Sequence, residues 1–177
     1  YRHGTPPWEA GKPHAELIRV LEEGIVRPGT ALELGCGTGF LAQALLAHGF
    51  EPALWVLTDL APPMVDRCAA TLGRTAARQF LVMDGESPSL ARPDGIGFDL
   101  ICGSLVFQWF EHLERSLSRL ADLLAPGGLL AYAIPAAGTF AEWRQAHAAL
   151  GLRCGVPHYR SPEALEALWP EHGRGRI

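Results

Sequence analysis

The sequence alternates between short apolar segments with strand character and longer segments with helical spacing, and this alternation constrains the fold more than any other feature. The apolar segments predict strands over residues 31–34, 53–58, 79–83, 98–102 and 128–134. Helical spacing predicts helices over residues 40–48, 62–72 and 111–125. Nearly continuous apolar strands that alternate with helices are typical of a parallel sheet covered on both faces. We therefore predict an α/β chain with a doubly wound, mostly parallel sheet and a ligand site outside the carboxyl ends of its strands.

The segments on either side of this alternating region are predicted to be helical. Residues 14–23 have helical spacing and end before a glycine. Thr139 and Glu142 form a predicted capping box for a helix over residues 140–150. A last helix is predicted to begin at Ser161 and Pro162 and to continue through Trp169. A length of 177 residues suits one domain.

Composition disfavours several classes of function. A formal net charge of −4 with scattered arginines disfavours a nucleic-acid partner. No apolar run approaches the roughly 18 residues of a spanning helix, and the first residues lack the apolar centre of a signal peptide, so a cytoplasmic protein without a membrane partner is expected. The four cysteines have no CxxC spacing, which fits a reducing compartment, and no metal site is predicted.

A glycine loop follows the first predicted strand in "LELGCGTGF". Its glycines are Gly35, Gly37 and Gly39, and Phe40 occupies the position of the third glycine in a dinucleotide fingerprint. Because a pyrophosphate needs that glycine for close approach, a dinucleotide is disfavoured. Glu33 would repel an anion and favour a ligand that carries an amine. S-adenosylmethionine, which has an ammonium, a sulfonium and no phosphate, is therefore the predicted cofactor.

Two further acids end the second and third predicted strands. Asp59 would accept the ribose hydroxyls, and Asp84 would accept the adenine amino group, with Leu60 or Met64 against the ring. Each acid taken singly could instead cap a helix or lie in a solvated turn, but acids at three strand ends together with the glycine loop form a specific set. The predicted cofactor-binding residues are Glu33, Gly35, Cys36, Gly37, Gly39, Asp59, Leu60, Met64, Asp84, Gly85, Ser104 and Leu105.

With these motifs, residues 14–134 resemble the class I S-adenosylmethionine-dependent methyltransferases. The segments "DLAPPMVDRC", "FDLICGSLVFQWFEHLERSLSRLADLLAPGGLLAYA", "GTFAEWRQAH" and "HYRSPEAL" are similar to the methyltransferases of biotin synthesis that esterify the free carboxyl of malonyl-acyl-carrier protein. The pair Gln108–Trp109 is the most specific of these marks. The segment "PPWEAGKPH" is more similar to thiol- and thiopurine-type enzymes.

The resemblance implies how the chain is organised. Residues 1–24 would form an amino-terminal lid and helix, residues 30–134 the cofactor-binding core, and residues 135–177 the substrate-side helices and tail. Such folds add an antiparallel hairpin after the fifth strand, and no pattern for it is found before the last residue.

Methyl transfer to a carboxylate requires no general base, because a carboxyl group with a solution pKa of about 4 is already ionised at pH 7. It does require groups that hold the carboxylate. The resemblance points to Arg144 as this clamp, although a surface arginine that pairs with Glu142 is the alternative. His147 and Tyr1 are weaker candidates, and Trp8 is expected either to close over the ligand or to pack on the sheet.

The apolar run "SLVFQWF" is expected to form the wall beside the cofactor. Phe107, Trp109 and Phe110 would exclude water, and Gln108 would either make a polar contact in that wall or cap the next helix. His112 is expected to cap that helix or to face solvent.

The resemblance also implies a substrate and its carrier. Malonyl-acyl-carrier protein or malonyl-coenzyme A is the implied acceptor, and the chain is expected to be a monomer. An acidic carrier protein would dock either on Arg67, Arg74 and Arg78 or on Arg153 and Arg160. Two other functions stay open, namely a methyltransferase for a thiol or a phenol and a catalytically silent module that binds S-adenosylmethionine.

Overall fold

The computed structural model describes residues 15–26, 28–91 and 93–169. Its elements follow the predicted alternation, with ends that differ by a few residues. Within these ranges, no helix combines the length and the apolar character that crossing a membrane requires. The elements are α1 Ala15–Glu22, β1 Thr30–Leu34, α2 Phe40–Ala47, β2 Leu54–Asp59, α3 Pro62–Leu72, β3 Arg78–Val82, β4 Phe98–Ser104, α4 Leu113–Leu123, β5 Leu124–Ala133, α5 Ala141–Ala149 and α6 Pro162–Glu166, with short 3₁₀ turns at Pro93–Gly95 and Phe107–Trp109.

The five strands form one parallel sheet in the order β3-β2-β1-β4-β5. Leu32 of β1 lies opposite Val56 of β2 on one side and Ile101 of β4 on the other. The prediction of a doubly wound parallel sheet is confirmed, and no antiparallel strand joins β5 within the described ranges. Strand order reverses between β1 and β4, which opens a crevice at their carboxyl ends.

Helices cover both faces of the sheet because successive strand residues point in opposite directions. Ala31 of β1 and Leu57 of β2 belong to a buried cluster that includes residues of α1, α2 and α3. Leu32 and Leu34 belong to a second cluster, which includes residues of α4 and Leu165 of α6. Burial on both faces holds the strands in register and so fixes where the loops at their carboxyl ends emerge.

The helices after β5 differ from the prediction at their ends. The predicted capping box of Thr139 and Glu142 is wrong: α5 follows Phe140, which has φ 60°, and no side chain in the described part of the chain caps it. The Thr139 N–H donates to the Ala136 carbonyl in a preceding turn, so Thr139 lies one residue too early to cap.

The cap of α6 is confirmed, although the helix is shorter than predicted. Ser161 Oγ accepts from the Ala164 N–H at 3.2 Å. The helix ends at Glu166, because the N–H groups of Leu168 and Trp169 donate to the residues three positions earlier, in tighter turns.

Candidate functional site

A cavity of about 880 Å³ lies at the carboxyl ends of β1, β2 and β4. The structure brings eleven of the twelve predicted cofactor residues to its wall, and the exception is Gly39. The eleven are Glu33, Gly35, Cys36, Gly37, Asp59, Leu60, Met64, Asp84, Gly85, Ser104 and Leu105. Gly39 instead begins α2 with φ 87°, where an added Cβ would lie 3.2 Å from Cys68 Sγ. Its role is to let α2 pack closely on α3.

The glycine loop after β1 is held by backbone hydrogen bonds and by one carboxylate. The Cys36 N–H donates to the Thr58 carbonyl at 2.8 Å, and the Gly37 N–H donates to Asp59 Oδ2 at 2.9 Å. Gly35 and Gly37 both have left-handed backbones, with φ of 63° and 52°. The loop therefore follows a path that residues with a Cβ adopt only at a cost, and it is tied to the end of β2.

Glu33 is buried inside this site, with 1% of its surface exposed. Its Oε2 has no hydrogen-bond partner among the described residues. Burial, followed by the nearby Cys68 and Asp59, raises the pKa of Glu33 well above its usual range. A buried carboxyl with an unpaired oxygen on a cavity wall is suited to a ligand that brings a positively charged donor.

Asp59 is oriented by two backbone N–H groups. Its Oδ2 accepts from Gly37 and its Oδ1 accepts from Ala61, both at 2.9 Å. Each carboxylate oxygen keeps a further lone pair for a ligand hydroxyl. Asp84 makes a similar local bond, in which Oδ1 accepts from the Glu86 N–H at 2.9 Å. Both acids therefore stabilise turns, as the simpler interpretation expects, and both also lie on the cavity wall.

The exit from β4 forms a further part of the cavity wall. Leu105 has φ 56°, and the 3₁₀ turn Phe107–Trp109 follows it. Trp109 and Phe110 line the cavity as expected, and Trp109 is 72% exposed. Phe107 is completely buried and stacks on Tyr132 with ring centroids 4.5 Å apart, so it belongs to the core rather than to the wall.

Gln108 does not line the cavity. Its Nε2 donates to the Leu105 carbonyl at 2.7 Å, and its Oε1 is buried without a partner among the described residues. The side chain neither contributes to the cavity surface nor caps α4.

The sequence did not reveal that Glu86 belongs to the site. Glu86 lines the cavity, and its carboxylate accepts from the Glu111 N–H at 3.0 Å and from the His112 N–H at 2.6 Å, so it fixes the turn that leads into α4. These two bonds lower the pKa of Glu86. Nothing in its local sequence indicates a partner 25 residues away. His112 is exposed and its own side chain caps nothing, so solvent exposure is the outcome for this histidine.

The remaining lining residues were also absent from the predicted site. Thr38, Phe40 and Leu41 lie at the end of the glycine loop and in the first turn of α2. Extending the predicted site by one helical turn beyond the loop would have included them. The others are Met83, Val106 and Glu111.

The structure does not bring the clamp candidate Arg144 to the cavity. Its guanidinium donates to the Val156 carbonyl at 3.1 Å and to the Pro157 carbonyl. His147 Nδ1 donates to the Trp143 carbonyl at 2.9 Å, within α5. Tyr1 and Trp8 lie outside the described residues.

The arginines proposed for carrier docking make local contacts. Arg74 lies over the Phe80 ring at 5.3 Å, and Arg78 donates to the Leu72 carbonyl. Arg153 and Arg160 are exposed beyond α5. These contacts do not favour either patch.

Three comparisons with known proteins agree with this geometry. The profile of the methyltransferase domain family matches residues 32–130. The biotin biosynthesis bifunctional protein BioCD of Bordetella avium is 50% identical over 128 residues, which are 72% of this chain and 26% of that protein. The malonyl-[acyl-carrier protein] O-methyltransferase of Magnetococcus marinus is 39% identical over 147 residues, which are 82% of this chain and 53% of that protein.

A solved structure shows the same fold. The N-methyltransferase NodS of Bradyrhizobium japonicum, in complex with S-adenosyl-L-homocysteine, superposes with a TM-score of 0.68 at 22% identity. The superposition covers 93% of this chain and 78% of that one. Among the sequence relatives, the chain spans 26% of the length of the protein from Bordetella avium and 53% of the length of the protein from Magnetococcus marinus.

Proposed function

The chain belongs to the methyltransferase domain family, and from this premise we propose that it transfers the methyl group of S-adenosylmethionine to the free carboxylate of a malonyl thioester. The family predicted from the sequence is thereby confirmed. The acceptor is the finer part of the proposal. It is supported by the similarity to the malonyl-[acyl-carrier protein] O-methyltransferase of Magnetococcus marinus.

One observation carries the choice of cofactor: the buried Glu33, whose Oε2 has no partner among the described residues, lines a cavity with several other acidic side chains. Within the described lining, the carboxyl-bearing residues are Glu33, Asp59, Asp84, Glu86 and Glu111, and no arginine, lysine or histidine accompanies them. Such a cavity favours a ligand with an ammonium and a sulfonium and disfavours a pyrophosphate. Its volume of about 880 Å³ is within the range of small-molecule sites. The residues present therefore fit S-adenosylmethionine.

The residues of the chain would bind, orient and desolvate the reactants. Glu33 would pair with the ammonium of the methionine moiety, and Asp59, already fixed by two N–H groups, would accept from the ribose hydroxyls. Trp109 and Phe110 would exclude water from the reacting atoms. When bound, the cofactor supplies an electrophilic methyl group, so the protein chiefly aligns an acceptor that is already ionised at pH 7.

A carboxylate acceptor needs a cation, because the described lining would repel it. Arg144 remains our proposed clamp. To serve as one, its guanidinium would have to exchange the Val156 and Pro157 carbonyls for the substrate carboxylate. These carbonyls lie 12 and 13 residues from Arg144, so its guanidinium already extends beyond its own helix.

The experiment that tests the proposal is transfer of a labelled methyl group from S-adenosylmethionine. Malonyl-acyl-carrier protein and malonyl-coenzyme A would be compared with simple thiols and phenols at equal concentration. We expect base-labile label in the malonyl products, because a methyl ester hydrolyses in alkali. Transfer to thiols or phenols alone would contradict the acceptor. Tight binding of the cofactor without transfer to any acceptor would point to the silent module.

A further inference from the structure

Leu105 holds a costly backbone conformation at the wall of the cavity. Its φ of 56° lies in the left-handed region, which residues with a Cβ rarely adopt. It directly follows Ser104, the last residue of β4, and its side chain lines the cavity with 39% of its surface exposed. Strain of this kind persists when surrounding contacts oppose relaxation.

Two hydrogen bonds hold Leu105 from opposite sides. Its N–H donates to the Ala133 carbonyl at the end of β5, at 3.0 Å. Its carbonyl accepts from Gln108 Nε2 at 2.7 Å. Relaxation of Leu105 toward an extended backbone would rotate both of its peptide groups, so both bonds would be lost together.

The position of Gln108 is itself fixed by packing. Its neighbour Phe107 is completely buried, stacked on Tyr132 at 4.5 Å and tilted against Phe110 at 5.1 Å. The Trp109 N–H donates to the Val106 carbonyl at 3.0 Å and closes the turn. The Gln108 amide therefore projects from a rigid turn back toward the strand exit.

The Gln108 side chain also carries a cost. Its Oε1 is buried without a partner among the described residues, and burial of an unpaired amide oxygen is unfavourable. An apolar side chain of similar length would avoid that cost but could not donate to Leu105. The donated hydrogen bond is thus the contribution that offsets the buried oxygen.

We propose that Gln108 is a positioning residue for the methyl-transfer site: its side-chain amide holds Leu105 in the left-handed conformation and so keeps the cavity wall at the exit of β4 in place. This inference rests on the proposed function, since it assigns the wall to the pocket for the cofactor and acceptor. Gln108 itself does not contact the cavity.

The first test compares Gln108→Met, which keeps the length of the side chain, with Gln108→Glu, which keeps its shape but replaces the donor by an acceptor. In both variants we expect faster hydrogen exchange at the Leu105 amide and S-adenosylhomocysteine binding about tenfold weaker, near the upper range for one neutral hydrogen bond. The midpoint of thermal unfolding of the Gln108→Met variant should stay near that of the wild type. The substitution removes the unpaired buried oxygen together with the hydrogen bond, and the two effects on stability oppose each other.

The second test separates positioning from a general structural role. Glycine adopts the left-handed region without cost, so Leu105→Gly should remove the need for Gln108. We expect Gln108→Met to weaken binding about tenfold in the wild-type background and less than about twofold in the Leu105→Gly background. Equal factors in the two backgrounds, or unchanged exchange at Leu105, would overturn the inference. If the wild-type chain bound no S-adenosylhomocysteine, the proposed function would fail instead, and the exchange experiment would still report whether Gln108 holds Leu105.

Discussion

Alanine substitution in the glycine loop should separate the cost of a left-handed backbone from the cost of a steric clash. Gly35 and Gly37 have similar φ values, 63° and 52°. A Cβ at position 35 would lie 2.8 Å from both Cβ and Cγ2 of Val106, whereas a Cβ at position 37 would meet no atom of the described residues within 4 Å. Gly37→Ala is therefore a matched control for Gly35→Ala.

The expected magnitudes follow from these two geometries. Each substitution places a Cβ in the left-handed region, which costs about 1–2 kcal/mol. Gly35→Ala adds overpacking against Val106, which costs about 1–3 kcal/mol in a closely packed site. The free energy of unfolding should thus fall by about 2–5 kcal/mol for Gly35→Ala and by about 1–2 kcal/mol for Gly37→Ala.

Urea unfolding followed by tryptophan fluorescence would measure both values under the same conditions. A change in the midpoint without a change in slope would assign the difference to stability. Equal losses for the two variants would refute the reasoning, because they would show that Val106 moves aside without cost and that the clash has no energetic weight.

Three further predictions concern charged side chains. Because burial raises the pKa of Glu33, the folded state retains a proton that the unfolded state releases above about pH 4.5. The free energy of unfolding of the empty protein should therefore fall as the pH rises, by about 1.4 kcal/mol per pH unit. This fall should stop once the pH passes the pKa of Glu33 in the folded state. Glu33→Gln should make the free energy of unfolding less dependent on pH. The same pH dependence in the variant and the wild type would count against a protonated Glu33. Asp59→Ala should weaken S-adenosylhomocysteine binding, measured by calorimetry, by tenfold or more, or about 1.4 kcal/mol. The control Asp66→Ala removes an exposed acid of α3 away from the cavity and should leave this affinity unchanged. An unchanged affinity in Asp59→Ala would remove Asp59 from the site. Arg144→Ala should keep cofactor affinity, increase hydrogen exchange near Val156 and lower transfer to the malonyl acceptor, and transfer at the wild-type rate would reject the clamp.

Much of the cofactor side of the cavity could be predicted because its determinants are local. Glycines at positions 35 and 37 and acids at strand ends are constraints that a few neighbouring residues impose. The parallel sheet then places those strand ends side by side, so Glu33, Asp59 and Asp84 meet without any further specification.

The position of the proposed clamp could not be predicted from the sequence for a physical reason. Arg144 is on α5, and its hydrogen-bond partners 12 and 13 residues away direct it to the Val156 segment rather than to the cavity. Local spacing predicts on which helix an arginine lies, but the direction of a long, flexible side chain depends on which acceptors the tertiary structure places within its reach.

By itself, the sequence determined the alternating elements, the parallel sheet and the glycine loop, because hydrophobic period and glycine placement act over a few residues. The tertiary structure alone decided that Glu86 fixes the turn before α4 from 25 residues away and that Phe107 packs into the core beside Tyr132. It also decided the left-handed backbone at Leu105, which Ala133 and Gln108 hold together. These features depend on which distant groups satisfy a buried N–H, carbonyl or ring, and that pairing is settled only when the strands and helices have packed.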